Sequence, residues 1–125
     1  MRKLFVSMIL FLAITVIGCQ KNNLDFSNDV SKIEVFEWES DTMMTTIDDN
    51  EVIDELVKKL NRANTSTTAN MDYPLPDLRL IFFNNENEPV FEIGYYHEMM
   101  NLGVKGRYLD VEKDTMYQVE IPLNF

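Results

Sequence analysis

The chain has 125 residues, 46% hydrophobic and 26% charged, with 21 Asp and Glu against 11 Lys and Arg and a formal net charge of −10. That length suits one domain whose core needs no disulfide framework, and 11% aromatic residues with only four Gly and four Pro exclude disordered, collagen-like and low-complexity classes. The acidic balance excludes nucleic acid as a partner, since phosphate binding draws on clustered Lys and Arg; one Cys excludes an internal disulfide, and one His leaves little for zinc.

The charge is unevenly spread. Residues 1–18 carry Arg2 and Lys3 and no acid, so the remainder holds nine basic residues against 21 acidic ones, a net of −12. Met1-Arg2-Lys3 is a basic start; Leu4–Ile17 is apolar, softened only by Ser7 and Thr15; Gly18-Cys19 follows. Fourteen residues at about 1.5 Å each fall short of the roughly 30 Å that a spanning helix must cross. Residues 1–18 therefore read as a secretory signal peptide, cleaved between Gly18 and Cys19. Val16-Ile17-Gly18-Cys19 resembles the lipobox of bacterial lipoproteins. The resemblance implies that Cys19 receives a covalent diacylglycerol, becomes the new N-terminus and anchors the chain to the cell membrane on its extracytoplasmic face. Two acyl chains supply the stable anchoring that one chain does not. No other cofactor is expected.

Residues 20–31 are polar without a sustained period, so 19–31 reads as the lipidated Cys and a flexible tether, and 32–125 as one domain. Ile33–Trp38 is the first strand candidate; its alternation slips between Val35 and Phe36, which a bulge or burial on both faces explains. Met43–Ile47 is a second short strand. Asp48, three residues before Glu51, fits a capping box. Val52, Ile53, Leu56, Val57, Leu60 and Ala63 then recur on one face of a helix over about 49–63. Acids in its first turns and Lys58, Lys59 and Arg62 in its last match the helix dipole, with Asp54–Lys58 and Glu55–Lys59 as supporting pairs.

Residues 64–77 read as a loop longer than a connection needs, and so as a place to look for function. Leu78–Phe83 and Pro89–Tyr96 form a hairpin around Asn84–Asn87. A four-residue loop pairs Phe83 with Glu88, Leu80 with Phe91 and Arg79 with Glu92, and gathers Leu78, Leu80, Phe82, Phe91 and Ile93 on one face. Tyr108–Val111 and Met116–Ile121 suggest a last hairpin, approached through Gly103 and Gly106. The fold expected is α+β: one small domain, an antiparallel sheet of five or six strands in β-β-α-β-β-β-β order, and one amphipathic helix packed on it. The spacing leaves open whether that helix covers the Leu80 or the Ile81 face. With its leader, Ile33-Glu34-Val35-Phe36-Glu37-Trp38, Thr46-Ile47-Asp48, Pro76-Asp77-Leu78 and Ile93-Gly94-Tyr95-Tyr96, the chain resembles small Bacillus-type lipoproteins of the YhfM kind, a group with no assigned activity to transfer.

Chemistry is sparsely equipped. His97 is the one imidazole and sits beside Glu98, so an envelope hydrolase would have to use it. No Ser lies in a nucleophile elbow, and Cys19 is committed to lipid. Asp41, Asp48, Asp49 and Glu51 fail the calcium-loop pattern, so no metal is expected. Tyr and Met suit adaptable interfaces, which makes Tyr73, Tyr96, His97 and Met99 the candidate binding surface. The reading is a non-enzymatic, protein-binding accessory module with an envelope protein as partner. A small-ligand sensor using the 64–77 groove is the alternative, and a hydrolase follows it.

Overall fold

The computed structural model describes residues 23–24, 30–99 and 104–124. Gly18, Cys19 and the rest of the leader lie outside the described residues. The elements are β1 (Val30–Glu37), β2 (Met43–Ile47), α1 (Asn50–Arg62), β3 (Thr65–Thr67), β4 (Leu78–Asn84), β5 (Pro89–Met99), β6 (Val104–Asp110) and β7 (Thr115–Tyr117). They form one antiparallel sheet in the order β2-β1-β4-β5-β6-β7-β3. One small domain with one helix on an antiparallel sheet is as expected, but the strands number seven. The extra one, β3, falls inside the segment read as loop: Thr65, Ser66 and Thr67 pair with Tyr117, Met116 and Thr115 of β7 and close the far side of the sheet.

The cap of α1 is one residue later than expected. Asp49, extended at φ −72° and ψ 113°, accepts from the backbone N–H groups of Glu51 (3.0 Å) and Val52 (3.5 Å), so Asp49 rather than Asp48 satisfies the free amides of the first turn. Ile53, Leu56, Val57 and Leu60 are buried, and Ala63 with them; Val52, read as part of that face, is 41% exposed. Glu55 and Lys59 pair at 3.0 Å. The helix covers the Leu80 face, because Ile53, Leu56 and Leu60 share one core with Ile33, Val35, Leu78, Leu80, Phe82, Ile93, Tyr95 and Tyr108. Each fully buried aliphatic or Phe side chain there contributes about 1.5–3 kcal/mol of transfer free energy.

The β4–β5 register differs from expectation by two residues. Leu80 opposes Ile93, Phe82 opposes Phe91, and Phe83 then opposes Pro89 across a bulge. Asn84 and Glu88 close the turn, with Asn87 at φ 61°. The turn and the bulge at Val90 each shift the pairing by one. Two shifts restore the two-residue period, so Leu78, Leu80, Phe82, Phe91 and Ile93 stay on one face as expected, while the bulge packs Val90 against the core beside Phe91. Arg79 opposes Gly94 rather than Glu92, and meets Glu92 diagonally, with Nε 3.3 Å from Oε1. β1 itself stays in regular register with β4 through Val35 and Phe36, the bulge in its pairing with β2 lying at Met44. The slip in its pattern is apolar residues on both faces, Val35 in the core and Phe36 under Arg79.

Two further segments depart from the reading. In the tether, Asn23 and Leu24 dock on the end of α1. The Asn23 side-chain amide donates to the carbonyls of Leu60 (2.9 Å) and Ala63 (2.8 Å), Leu24 N–H donates to Asn61 Oδ1, and Leu24 is buried. The sheet also begins earlier, at Val30. In the last hairpin the strand stops at Tyr117, and 118–124 runs extended beneath the core face. Tyr108 donates its hydroxyl to Ile121 O (2.9 Å), Leu123 N–H donates to Tyr95 Oη (2.9 Å), and Ile121 N–H donates to Gly106 O. Gly106 has φ 71°, and a Cβ there would stand 2.4 Å from Ile121 C, so this crossing needs glycine on both counts.

Candidate functional site

Strand alternation decides which of the anticipated surface residues can meet. Along β5, Phe91, Ile93 and Tyr95 face the helix-covered core, while Tyr96 turns to the opposite face. There Tyr96 is buried with Leu109 and Met116, and the half-buried Tyr73 packs against that cluster. Its hydroxyl donates to Pro74 O at 2.7 Å. Burial first, then the Asp77 carboxylate and Tyr73, push the Tyr96 hydroxyl up to about 12. Tyr73 and Tyr96 are thus brought together, as a lock that holds the 71–77 segment rather than as an open surface.

His97 is separated from them. It is exposed, and its ring meets Tyr95 edge-on at 5.2 Å, which places it on the other side of the strand from Tyr96. Met99 is the last residue of β5, opposite Val104 and at the same parity as His97. The single groove anticipated from Tyr73, Tyr96, His97 and Met99 therefore does not form, because adjacent strand residues point apart.

Asp77 organises the segment instead. Its Oδ2 accepts from His97 N–H (2.8 Å), its N–H donates to Tyr95 O (3.0 Å), and its carbonyl accepts from Trp38 N–H (3.1 Å). Its carboxylate is engaged by the His97 backbone, and Pro76 lies buried on Gly94.

The open face of the sheet carries features that pattern reading missed. Arg79 pairs with Asp41 and Glu92 and lies over the Phe36 ring at 5.6 Å. Lys32 bridges to Glu34 (3.5 Å) and covers Phe83 at 4.7 Å. A cavity of about 230 Å³ opens beside Gly94, lined by Trp38, Glu92, Asp110 and Glu112. Its size is below the roughly 300–1,000 Å³ of small-molecule sites, and the buried Asp110 already accepts from Lys113 N–H in the β6–β7 turn. Of the acids weighed for calcium, Asp41 is taken by Arg79 and Asp49 by the helix cap. Among the described residues no group of three or more His, Cys, Asp or Glu is placed to hold a metal ion.

Apolar side chains stay exposed in the 71–77 segment, Met71 at 61% and Leu75 at 64%, and along one edge of the sheet. β2 ends the sheet on one side, pairs only with β1 among the described strands, and exposes Met43 at 47% and Met44 at 48%. Its last residue, Ile47, lines a groove of about 330 Å³ with Val52, Leu56, Ile121 and Leu123. The signal available in the sequence was a strand with no charge and no Pro at a chain position free to be an edge. No family model matches the chain, and no curated protein or solved structure matches it either.

Proposed function

We propose that the chain is a lipoprotein anchored through Cys19 on the extracytoplasmic face of the cell membrane, and that its domain is a non-catalytic module binding or supporting another envelope protein. The lipobox-like Val16–Cys19 segment and the chain's one Cys support the anchor. Apolar surface left in solvent carries the binding reading. Consecutive Met43 and Met44 lie exposed on a sheet edge that pairs with no further strand among the described residues, and Met71 and Leu75 add exposed apolar surface. Such flexible thioether side chains adapt to a partner's shape. A solute sensor is less well supported, since Tyr73, Pro76 and Tyr96, which its groove requires, are packed on the sheet. A hydrolase is less well supported too, because the Asp77 carboxylate is engaged by the His97 backbone N–H.

Crosslinking in intact membranes followed by mass spectrometry tests the binding half: one reproducible envelope partner is expected, and none overturns it. Cys19→Ala tests the anchor. It should release the protein from the membrane fraction or leave it unprocessed, whereas unchanged mass and unchanged palmitate labelling refute lipidation.

A further inference from the structure

The two edges of the sheet are not equivalent. β3 is three residues long, and a short edge offers little to pair with. β2 is five residues, Met43-Met44-Thr45-Thr46-Ile47, with no charge and no Pro, so of the usual devices that keep an edge from accepting another strand it carries only a bulge. Its one irregularity is the bulge at Met44, which leaves Thr45–Ile47 in regular register with Val35, Glu34 and Ile33.

The surroundings of that strand specify what it can accept. From Glu37 to Glu51 the chain carries six acids, Glu37, Glu39, Asp41, Asp48, Asp49 and Glu51, and no Lys or Arg. They flank the strand at both ends. A second copy pairing antiparallel about Thr45 would bring Glu39 toward the copy's Glu51, and Asp41, already paired with Arg79, toward its Asp49, putting exposed like charges at the ends of the ladder. Like charges directly opposed are destabilising, and the net of −12 that residues 19–125 carry in each copy adds to the repulsion. A partner strand with basic ends meets the opposite situation: its backbone extends the sheet, and its Lys or Arg residues reach the acids at either end.

We propose that β2 is a docking edge for an extended segment of a partner protein, uncharged in its middle and basic at both ends, which adds to the sheet as an eighth strand. The proposal rests on the binding-module reading and names the surface and the partner's chemistry.

The test uses the full lipidated chain in neutral detergent micelles and a fluorescent peptide of alternating Val and Thr flanked by Lys. Saturable binding by anisotropy is expected, about tenfold weaker when the flanks are Glu, and lost when alternate backbone nitrogens are methylated. Glu39→Lys, Asp48→Lys and Glu51→Lys, combined, should reverse the preference between Lys and Glu flanks. All three side chains are exposed, and circular dichroism confirms that the variant folds. Equal binding of the methylated peptide would reduce the effect to charge attraction alone and overturn the proposal. So would amide shifts on β3 rather than β2, or a concentration-dependent dimer in sedimentation that the peptide does not dissociate. Photo-crosslinkers at positions 44 and 58 in membranes separate the two claims. A partner captured only from position 58 sinks the β2 edge and leaves the binding module standing, and no partner from either position sinks both.

Discussion

Pro76 rests directly on Gly94: a Cβ at position 94 would stand 2.4 Å from Pro76 Cγ and 2.9 Å from its Cβ. Gly94 lies within β5 without a positive φ, so its lack of a side chain serves close approach rather than backbone freedom. Through that contact the 71–77 segment is held on the sheet, next to the Tyr96–Pro74 and Asp77–His97 hydrogen bonds.

Gly94→Ala should therefore destabilise the domain by about 1–3 kcal/mol, as overpacked positions do. Combining it with Pro76→Ala, which removes the Cγ clash, should recover part of the loss, leaving the 2.9 Å contact to the Cβ at position 76 and the 3.2 Å contact to Leu109 O. Urea midpoints of the two single variants and the double variant measure this coupling. Additive losses would show that Pro76 is not what Gly94 accommodates.

The position of the helix cap gives a second, sharper comparison. Asp49→Ala removes the acceptor for two first-turn amides and should cost about 1 kcal/mol, while Asp48→Ala, at an exposed position outside the cap, should stay within about 0.5 kcal/mol. Equal costs in urea unfolding would refute this assignment.

Adjacent acids such as Asp48 and Asp49 show where pattern reading stops. Both satisfy the cap chemistry, and the choice depends on which residue turns extended. The helix face was legible because five of its six apolar residues are buried at 3.6-residue spacing, against a sheet that supplies the area. The faces of the β4–β5 hairpin were legible despite a wrong register, because a shift of two leaves parity intact. By contrast, β3 has no apolar signal; Thr65–Thr67 becomes a strand only because β7 lies beside it. Val119, Ile121 and Leu123 alternate like a strand, yet Tyr95 and Tyr108 bind their backbone and draw them under the core face. Tyr96 and His97 were grouped by sequence adjacency, which within a strand means opposite faces.

Alkaline pH should unfold the domain through two buried phenols. Tyr96 is pushed from its ordinary 10 to about 12, chiefly by burial, and Tyr108 is pushed up further by burial and by Tyr95. A phenol whose folded value lies above its unfolded one favours the folded state while neutral. The contribution is complete below about pH 10 and is lost as pH rises through the folded values. Urea midpoints should hold steady up to that point and fall between about 10 and 12. Tyr96→Phe should lower the plateau by about 1 kcal/mol, since Pro74 O loses its donor, and should make the alkaline decline shallower. A decline of unchanged steepness in Tyr96→Phe and Tyr108→Phe alike would assign the effect to other groups.

If the chain is anchored at Cys19, the docking of Asn23 sets how far the domain can stand from the membrane. Asn23 is four positions from Cys19, a reach of at most about 14 Å when fully extended. If Cys19 carries the lipid, the end of α1 that Asn23 caps is held near the headgroups rather than lifted clear of them. Asn23→Ala removes both side-chain donations to Leu60 O and Ala63 O, leaving carbonyls at the helix end without their partner. It should cost about 1–2 kcal/mol in urea unfolding. The Asn23 N–H to Asn61 O bond and the buried Leu24 still hold the segment, so Leu24→Ser is added. In that double variant the next sheet residue is Val30, eleven positions from Cys19, and the permitted reach rises to about 40 Å. Energy transfer from a dye at position 62 to a labelled bilayer should then fall relative to the parent protein in the same vesicles. Unchanged transfer together with unchanged stability would show that Asn23 and Leu24 do not fix the domain at the membrane.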